Sequence, residues 1–160
     1  MRLVEITPDN VLEACALRVR PGQEGFVAPV ARSPAEAYAS PDVARPRLVY
    51  DGDRLVAFVR GFFGVRFDPD DPRDRPRSGP WRPAVSAGHQ GRGYGRFAVG
   101  AVCEEVRRRG GSRVTVSWKP GGHGPEGFST GLGFRPTGGV SGDQVVAELD
   151  LGPAAQVQCP

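Results

Sequence analysis

The sequence predicts a single α/β domain, because segments with strand periodicity alternate along the chain with segments of helical periodicity. Three observations carry this prediction. An Asp-Gly-Asp turn at 51–53 separates two apolar stretches, apolar residues recur at helical spacing after Tyr94, and polar and apolar residues alternate over 113–118. A chain of 160 residues is long enough for one core. We expect one domain over 1–151 and a flexible C-terminal tail over 152–160.

Local signals predict the first strand and the first two helices. Polar and apolar residues alternate over 2–7, as in a short strand. Thr7-Pro8 then offers a capping hydroxyl and a proline for the first helical position, so a helix should run over 8–19. Ser33-Pro34-Ala35-Glu36 fits a capping box, in which both polar side chains bond to free backbone N–H groups. A second helix should therefore cover 35–40.

The middle of the chain predicts a hairpin, a loop and an unusual strand. Apolar stretches at 48–50 and 55–63 flank the Asp-Gly-Asp turn, as in a β-hairpin. The stretch 68–80 is rich in Asp, Arg and Pro and should be a solvated loop. Residues 81–86 are apolar enough for a strand, but Pro83 has no N–H to donate to a ladder. This proline predicts an edge, a bulge or a split in the sheet.

The second half predicts one long helix, one short helix and two strands. The long helix begins at Tyr94 and ends at Gly110-Gly111, because glycine accepts the left-handed backbone that follows helix C-termini. A strand over 113–118, a short helix over 125–132 and a last strand over 145–151 complete the series.

Composition and charge argue against several classes of function. With 21 Lys and Arg against 18 Asp and Glu, the net charge of +3 does not demand a nucleic-acid partner. No apolar run approaches the ~18–20 residues of a membrane helix, so no membrane partner is expected. Cys15, Cys103 and Cys159 form no CxxC pair and no secretory leader is seen, which favours a reduced, cytoplasmic protein. His89 and His123 are far apart, so we expect no metal.

The segment Gln90-Gly91-Arg92-Gly93-Tyr94-Gly95 has the pattern of an anion-binding loop. Glycine adopts positive φ and lacks a Cβ atom, so the backbone can curve closely around a phosphate. The first N–H groups of the following helix are free to donate, and the helix dipole adds partial positive charge. Arg92 and Arg96 add full charges. The segment therefore predicts a ligand that carries a phosphate.

Other interpretations of this segment fit less well. Residues 93–98 match a loose GxGxxA pattern, but a dinucleotide fold wants an acidic residue about 20 positions on, where Lys119 and glycines stand. A P-loop would need Gly-Lys-Ser/Thr, which does not occur. A glycine-rich turn with a purely structural role stays open.

The pattern Gln90-x-x-Gly93-x-Gly95, with Val85 five residues earlier, resembles the acetyl-CoA site of the GNAT acetyltransferases. The similarity extends over nearly the whole chain, to Leu132-Gly133-Phe134 and the last strand. It implies a mixed, mostly antiparallel, splayed central sheet flanked by about four helices, with acetyl-CoA as co-substrate and no metal. Because relatives are often dimers, a homodimer is one expectation for the assembly.

The resemblance also implies roles for individual residues of the loop. The backbone N–H groups from Arg92 to Arg96 would hold the pyrophosphate, and Gln90 would brace the loop. Pantetheine would bond to the exposed backbone at Val85, where an N–H group could also stabilise the oxyanion of the attacked thioester. Pro83 fits a strand that cannot complete its ladder. The implied cofactor-binding residues are Val85, Gln90, Gly91, Arg92, Gly93, Tyr94, Gly95 and Arg96.

Segments 24–29 and 36–38 in the first half are similar to the bacterial diamine and spermidine acetyltransferases. This similarity implies an N-acetyltransferase in which a small primary amine attacks the thioester directly. A polyamine or diamine is favoured, and a drug-like amine is an alternative. Since a net charge of +3 would repel a cationic substrate, nearby acidic residues such as Glu24 would have to make the electrostatic potential at the substrate site negative.

An alkyl ammonium with a pKa of about 10.4 must lose a proton before it attacks. Glu24 is the first candidate to grip the ammonium and relay this proton, and Glu36 is the second; either could instead be a structural charge. Ser129 stands where many relatives carry a tyrosine that protonates the leaving sulfur. Gly122 stands where relatives often have an asparagine, and His123 is a candidate replacement donor or an exposed loop residue. A non-catalytic acyl-CoA- or amine-binding protein is therefore the alternative function.

Overall fold

Two antiparallel sheets and four α-helices build the fold of the computed structural model, which describes residues 1–122 and 124–152. In chain order the elements are β1 (Arg2–Val4), α1 (Val11–Ala16), α2 (Arg32–Ala39), β2 (Ala44–Asp51), β3 (Arg54–Val65), β4 (Arg77–Val85), α3 (Tyr94–Arg108), β5 (Arg113–Trp118), α4 (Glu126–Gly131), β6 (Arg135–Ser141) and β7 (Gln144–Asp150). The strand orders are β1-β2-β3-β4 and β5-β7-β6. The predicted fold class is confirmed. His123 and the predicted tail from 153 on, with Cys159, lie outside the described residues.

The two sheets touch near the start of β4 and β5 and separate toward the ends of these strands. An added Cβ atom on Gly79 would lie 1.9 Å from the carbonyl oxygen of Thr115, so the two backbones meet there. Further along, 80–83 and 116–118 line one cavity, and no ladder joins β4 to β5 in the described part of the chain. The strands therefore run in the same direction and splay apart, as the resemblance implied.

The proline in β4 produces a bulge, one of the irregularities that its missing N–H predicted. Trp81 pairs with Arg60 and Ala84 pairs with Phe58, so two residues of β4 stand opposite one residue of β3. The first bulged residue, Arg82, has a φ of +54°, which is rare for a side chain with a Cβ atom. The bulge lies at the edge of the four-stranded sheet, where β4 has no second partner among the described strands.

Helix α3 forms the centre of the larger core. Its buried face repeats at helical spacing, as the sequence predicted, and packs against buried residues of both sheets. Gly110, with a φ of +81°, follows the end of the helix. The buried residues of α3 are Tyr94, Gly95, Ala98, Val99, Val102, Cys103 and Val106. Because this face shares one buried core with residues of β3, β5 and β7, α3 helps to hold the two sheets together.

The first two helices differ from their predicted bounds. Helix α1 begins at Val11 because 8–10 form a turn, in which the carbonyl of Thr7 accepts from the N–H groups of Asn10 and Val11. It ends at Ala16, three residues earlier than predicted. Helix α2 begins at Arg32, so Ser33 is helical and no side chain in the described residues caps its start. The predicted capping box is therefore wrong.

Two strands also differ from the prediction. Strand β4 begins at Arg77, so the last four residues of the predicted loop 68–80 belong to the sheet. Strand β6 was not predicted, because Pro136, Gly138 and Gly139 break its alternation. It lies at the edge of the three-stranded sheet, and nearly all of its residues are exposed. Its own residues have low strand propensity, so this strand forms because it pairs with β7.

Glu36 of α2 binds arginines from three different elements. It accepts from Arg32 at 2.6 Å, from Arg82 at 2.8 and 3.1 Å, and from the buried Arg60. Burial raises the pKa of the Glu36 carboxyl, but the hydrogen bonds from Arg82, Arg60 and Arg32 outweigh this and bring the pKa to about 2. The ring of Trp81 lies 4.4 Å from the Arg60 guanidinium. These contacts, not a capping box, account for Glu36 and tie α2 to the sheet.

In residues 1–122 and 124–152, no helix has both the length and the apolar character needed to span a bilayer.

We predict that Gly79→Ala lowers the free energy of unfolding by about 3 kcal/mol, because its Cβ atom would overlap the Thr115 carbonyl. Gly100→Ala is the matched control. Gly100 lies in the middle of α3, is exposed to solvent and has nothing within 4 Å of an added Cβ atom. Its change to alanine should therefore raise the free energy of unfolding by about 0.5–1 kcal/mol. Urea unfolding measures both. A Gly79→Ala protein as stable as the wild type would show that β4 and β5 do not touch at this point.

We predict that Glu36→Gln costs about 1–3 kcal/mol of stability at pH 7, because three guanidinium groups lose their shared carboxylate. The folded-state pKa of about 2 lies below the ordinary 4.5, so this contribution is complete above pH 4.5 and fades as the pH falls toward 2. Urea unfolding of both proteins between pH 7 and pH 3 should show the difference narrowing. A difference that stays constant over this range would contradict the ion-pair origin.

The control for this change is Glu5→Gln. Glu5 pairs with Arg47 at 2.8 Å, but its side chain is 73% exposed, so its removal should cost less than about 1 kcal/mol at any pH.

Candidate active site

Two cavities lie side by side and share a wall. The loop cavity, of about 410 Å³, is bounded by the end of β4, the glycine segment and the first turn of α3. The strand cavity, of about 470 Å³, lies between β4 and β5 under the loop 24–28. The residues that line both are Phe26, Val27, Pro83, Pro125 and Phe128. A ligand that fills the loop cavity can therefore reach the strand cavity past two aromatic rings.

The glycine segment forms a curved backbone at the start of α3. Gly91 and Gly93 have φ values of +81° and +87°, and Gly93 is the residue that precedes the helix. The carbonyl of Gly93 accepts from Phe97, and no described side chain caps the helix. The N–H groups over 94–96 are thus free to donate, at the positive end of the helix dipole. This arrangement suits a phosphate or pyrophosphate.

Gln90 joins the end of β4 to the loop before α2. Its side-chain amide donates to the carbonyl of Val85 at 3.1 Å and to the side-chain oxygen of Gln23 at 2.7 Å. The resemblance implies that Gln90 braces the loop, and these two bonds support that prediction. Gln23, which the sequence analysis did not single out, also lines the loop cavity.

The backbone of Val85 faces away from β3. The N–H of Ser86 donates to Val56 of β3 at 2.9 Å, and neighbouring residues of a strand alternate the direction of their backbone groups. The N–H and carbonyl of Val85 therefore point to the open edge of β4, where Gln90 takes the carbonyl. The Val85 N–H is left for a ligand.

Two phenylalanines close the site, and the sequence analysis gave neither of them this role. A Cβ atom on Gly95 would lie 3.1 Å from the Phe128 ring, so α3 starts directly beneath that ring. Phe26 packs on the loop after β5, where Cβ atoms on Gly121 and Gly124 would lie 2.7 and 3.2 Å from its ring. The glycines at these positions were the available signal, since a close aromatic contact requires a missing side chain.

The two predicted catalytic residues both line the strand cavity. Ser129 is buried in α4, whereas Glu24 is exposed and accepts from the N–H of Gly22 at 2.7 Å. Glu36, the second candidate base, lines neither cavity. A carboxylate with a pKa of about 2 is a weak base, so the geometry favours Glu24 over Glu36.

Seven of the eight predicted cofactor residues line the loop cavity: Val85, Gln90, Gly91, Gly93, Tyr94, Gly95 and Arg96. Arg92 lies instead in a neighbouring depression with Asp51, Asp53 and Arg54. The Tyr94 hydroxyl donates to Asp51 at 2.6 Å, and this bond raises the pKa of Tyr94. Its phenol therefore ties α3 to the β2–β3 hairpin, while other atoms of the residue border the cavity.

Gly122, another candidate from the sequence, lies outside the two cavities. It is exposed in the loop after β5. In the described ranges, no three His, Cys, Asp or Glu side chains are grouped closely enough to hold a metal ion.

Comparison with solved structures supports the same fold. The GNAT domain of S. lividans PAT aligns with a TM-score of 0.71 at 17% identity, covering 93% of this chain and 89% of that one. A Bacillus subtilis acetyltransferase in complex with CoA aligns with a TM-score of 0.62 at 15% identity, covering 94% and 97%. A Brucella melitensis GNAT family acetyltransferase in complex with acetyl-CoA aligns with a TM-score of 0.62 at 12% identity, covering 96% and 89%.

No curated protein sequence matches the chain. The sequence profile of the Acetyltransferase (GNAT) family, in contrast, matches residues 10–123, which include the glycine segment and all of β3, β4 and α3. With the fold and the loop at the start of α3 in agreement, the chain belongs to the GNAT acetyltransferase family.

Proposed function

We propose that this protein transfers the acetyl group of acetyl-CoA directly to the amine of a small molecule. The observation that carries this proposal is the pair of adjoining cavities. One has an uncapped helix start over 94–96, and the other is lined by Glu24 and Ser129. A phosphate-bearing ligand in the first cavity and an amine in the second would meet at the shared wall.

The loop cavity offers a complementary group for each part of coenzyme A. The N–H groups over 94–96 would hold the pyrophosphate, and Arg96 would add charge at the cavity rim. The open edge of Val85 would bond to pantetheine. The same N–H would stabilise the negative charge that forms on the thioester oxygen during attack.

The strand cavity would bind the amine, and its residues would accept and donate the protons of the reaction. The amine nitrogen attacks the carbonyl carbon, the C–S bond breaks, and the nitrogen gives its proton to Glu24 directly or through water. Ser129 would face the leaving sulfur with a hydroxyl that is a weaker acid than a tyrosine. Because a thiol has a pKa of about 8.5, its thiolate is a good enough leaving group to depart without a strong acid. The weak acidity of Ser129 therefore need not make C–S bond cleavage slow.

Among amines, the resemblance of segments 24–29 and 36–38 implies a polyamine or diamine held by Glu24, whereas the arginines that line the strand cavity favour an amine that also carries a negative charge. The second candidate function is binding of an acyl-CoA without catalysis. The observation that favours it is Ser129 at the position of the usual tyrosine.

We predict that Gly93→Ala weakens acetyl-CoA binding at least about tenfold, because a side chain at a φ of +87° strains and shifts the loop. Gly110→Ala is the matched control, with a φ of +81° at the other end of α3. Both variants should lose about 1–2 kcal/mol of stability, but only the first should lose affinity in calorimetric titration. Equal affinity of Gly93→Ala and wild type would place the cofactor elsewhere.

We predict that Glu24→Gln lowers kcat/KM by about 10²-fold or more, as expected for loss of a proton acceptor, while acetyl-CoA affinity is unchanged. Thiol release from acetyl-CoA over a panel of primary amines measures this. Glu126→Gln, an exposed carboxylate of α4 that lines neither cavity, is the control and should keep full activity. Wild-type protein that binds acetyl-CoA but releases no thiol with any amine would establish the binding function instead.

A further inference from the structure

The strand cavity carries more positive than negative charge. Its charged lining residues are Glu24, Arg32 and Arg82. The two arginines share Glu36 with the buried Arg60, so one carboxylate serves three guanidinium groups. Burial lowers the pKa of Arg60, and the charges of Arg82 and Arg32 act in the same direction, as expected where positive charge is in excess.

Arg82 is held in one orientation at the wall of this cavity. Its two terminal nitrogens donate to the two oxygens of Glu36 at 2.8 and 3.1 Å, and the Trp81 ring lies 5.3 Å from its guanidinium carbon. Its left-handed backbone, with φ of +54°, costs about 1–3 kcal/mol. The guanidinium group keeps further N–H groups for a ligand. A fixed cation of this kind binds an anion with little loss of conformational entropy.

Trp118, which also lines this cavity, contains an unpaired hydrogen-bond donor. The residue is only 3% exposed, and its indole N–H has no partner in the described part of the chain. A buried donor without an acceptor costs about 1–3 kcal/mol. Indole and guanidinium groups can only donate, so each of them could bond to an oxygen acceptor of a ligand.

We propose that the strand cavity binds an amine that also carries a carboxylate, such as a free amino acid, with the carboxylate held by Arg82 and Trp118. This inference rests on the proposed function, because it names the class of acceptor. Glu24 would meet the ammonium end and Arg82 the carboxylate end of one zwitterion. A diamine would instead direct its second ammonium toward Arg32 and Arg82, where like charges repel. The bonds made and broken are those of the acetyl transfer described above.

The test uses acceptor pairs that differ by one carboxylate: lysine and cadaverine, ornithine and putrescine, tyrosine and tyramine. The wild type should favour the amino acid of each pair at least about tenfold in kcat/KM. Arg82→Gln should abolish this preference by raising the KM of the amino acid, while the KM of tyramine stays within about twofold and that of the diamines stays level or falls. Arg47→Gln, an ion-paired strand arginine that lines neither cavity, should retain the preference.

A second variant keeps the test decisive if Arg82→Gln does not fold. Trp118→Phe removes the indole N–H and keeps an aromatic ring, and it should weaken amino-acid binding about fivefold or more. Circular dichroism and acetyl-CoA affinity confirm that each variant retains its fold and its loop cavity. An unchanged carboxylate preference in a folded variant of either residue overturns the inference.

Binding measurements separate failure of this inference from failure of the proposed function. Lysine and cadaverine are titrated by calorimetry into protein saturated with coenzyme A. Absence of thiol release, together with lysine binding that depends on Arg82, overturns the proposed function and supports the carboxylate site. Equal or better use of the diamines overturns the carboxylate site and leaves the acetyl transfer standing. Absence of any lysine binding also overturns the carboxylate site.

Discussion

Strand β4 pairs with β3 on one side but forms no ladder with β5 on the other in the described residues, and this difference determines where both cavities lie. The ladder with β3 extends along the length of β4, whose backbone touches that of β5 near Gly79. Pro83 has no N–H for a further partner, and the bulge around it displaces the chain. Backbone groups left on this edge must find other partners, and Gln90 supplies one for Val85. The open edge is therefore the surface along which an extended ligand can bond.

The glycines around this edge meet two different physical requirements. At Gly79 and Gly95 the limit is space, because a Cβ atom would reach a backbone oxygen or an aromatic ring. At Gly91 and Gly93 there is open space, and the limit is the left-handed backbone. Gly79 lets β4 approach β5, and Gly95 lets α3 approach the Phe128 ring of α4. The second pair shapes the loop between β4 and α3. The loop can thus stay open to a ligand while the walls on either side are packed.

Sequence patterns predicted the parts of the molecule that local chemistry controls. The hairpin at 51–53 and the long helix after Tyr94 follow from turn and periodic signals, and the structure contains both. Pro83 predicted an edge, a bulge or a split in the sheet, and the structure has a bulge on an edge strand there. The capping box at 33–36 failed because α2 begins at Arg32 and Glu36 accepts from arginines distant in sequence. The shared wall of Phe26 and Phe128 was likewise unpredictable, since it depends on which loops the fold brings together.

The ion cluster around Glu36 is a poor source of net stability, because burying charged groups costs nearly as much as their attraction returns. Its effect is on geometry. Two of its hydrogen bonds fix Arg82, a residue whose backbone is strained and whose neighbour Pro83 lines both cavities. The attraction of Glu36 offsets the strain and holds the guanidinium against the Trp81 ring. Helix α2 therefore supports the wall of the strand cavity through one carboxylate, although Glu36 itself lines neither cavity.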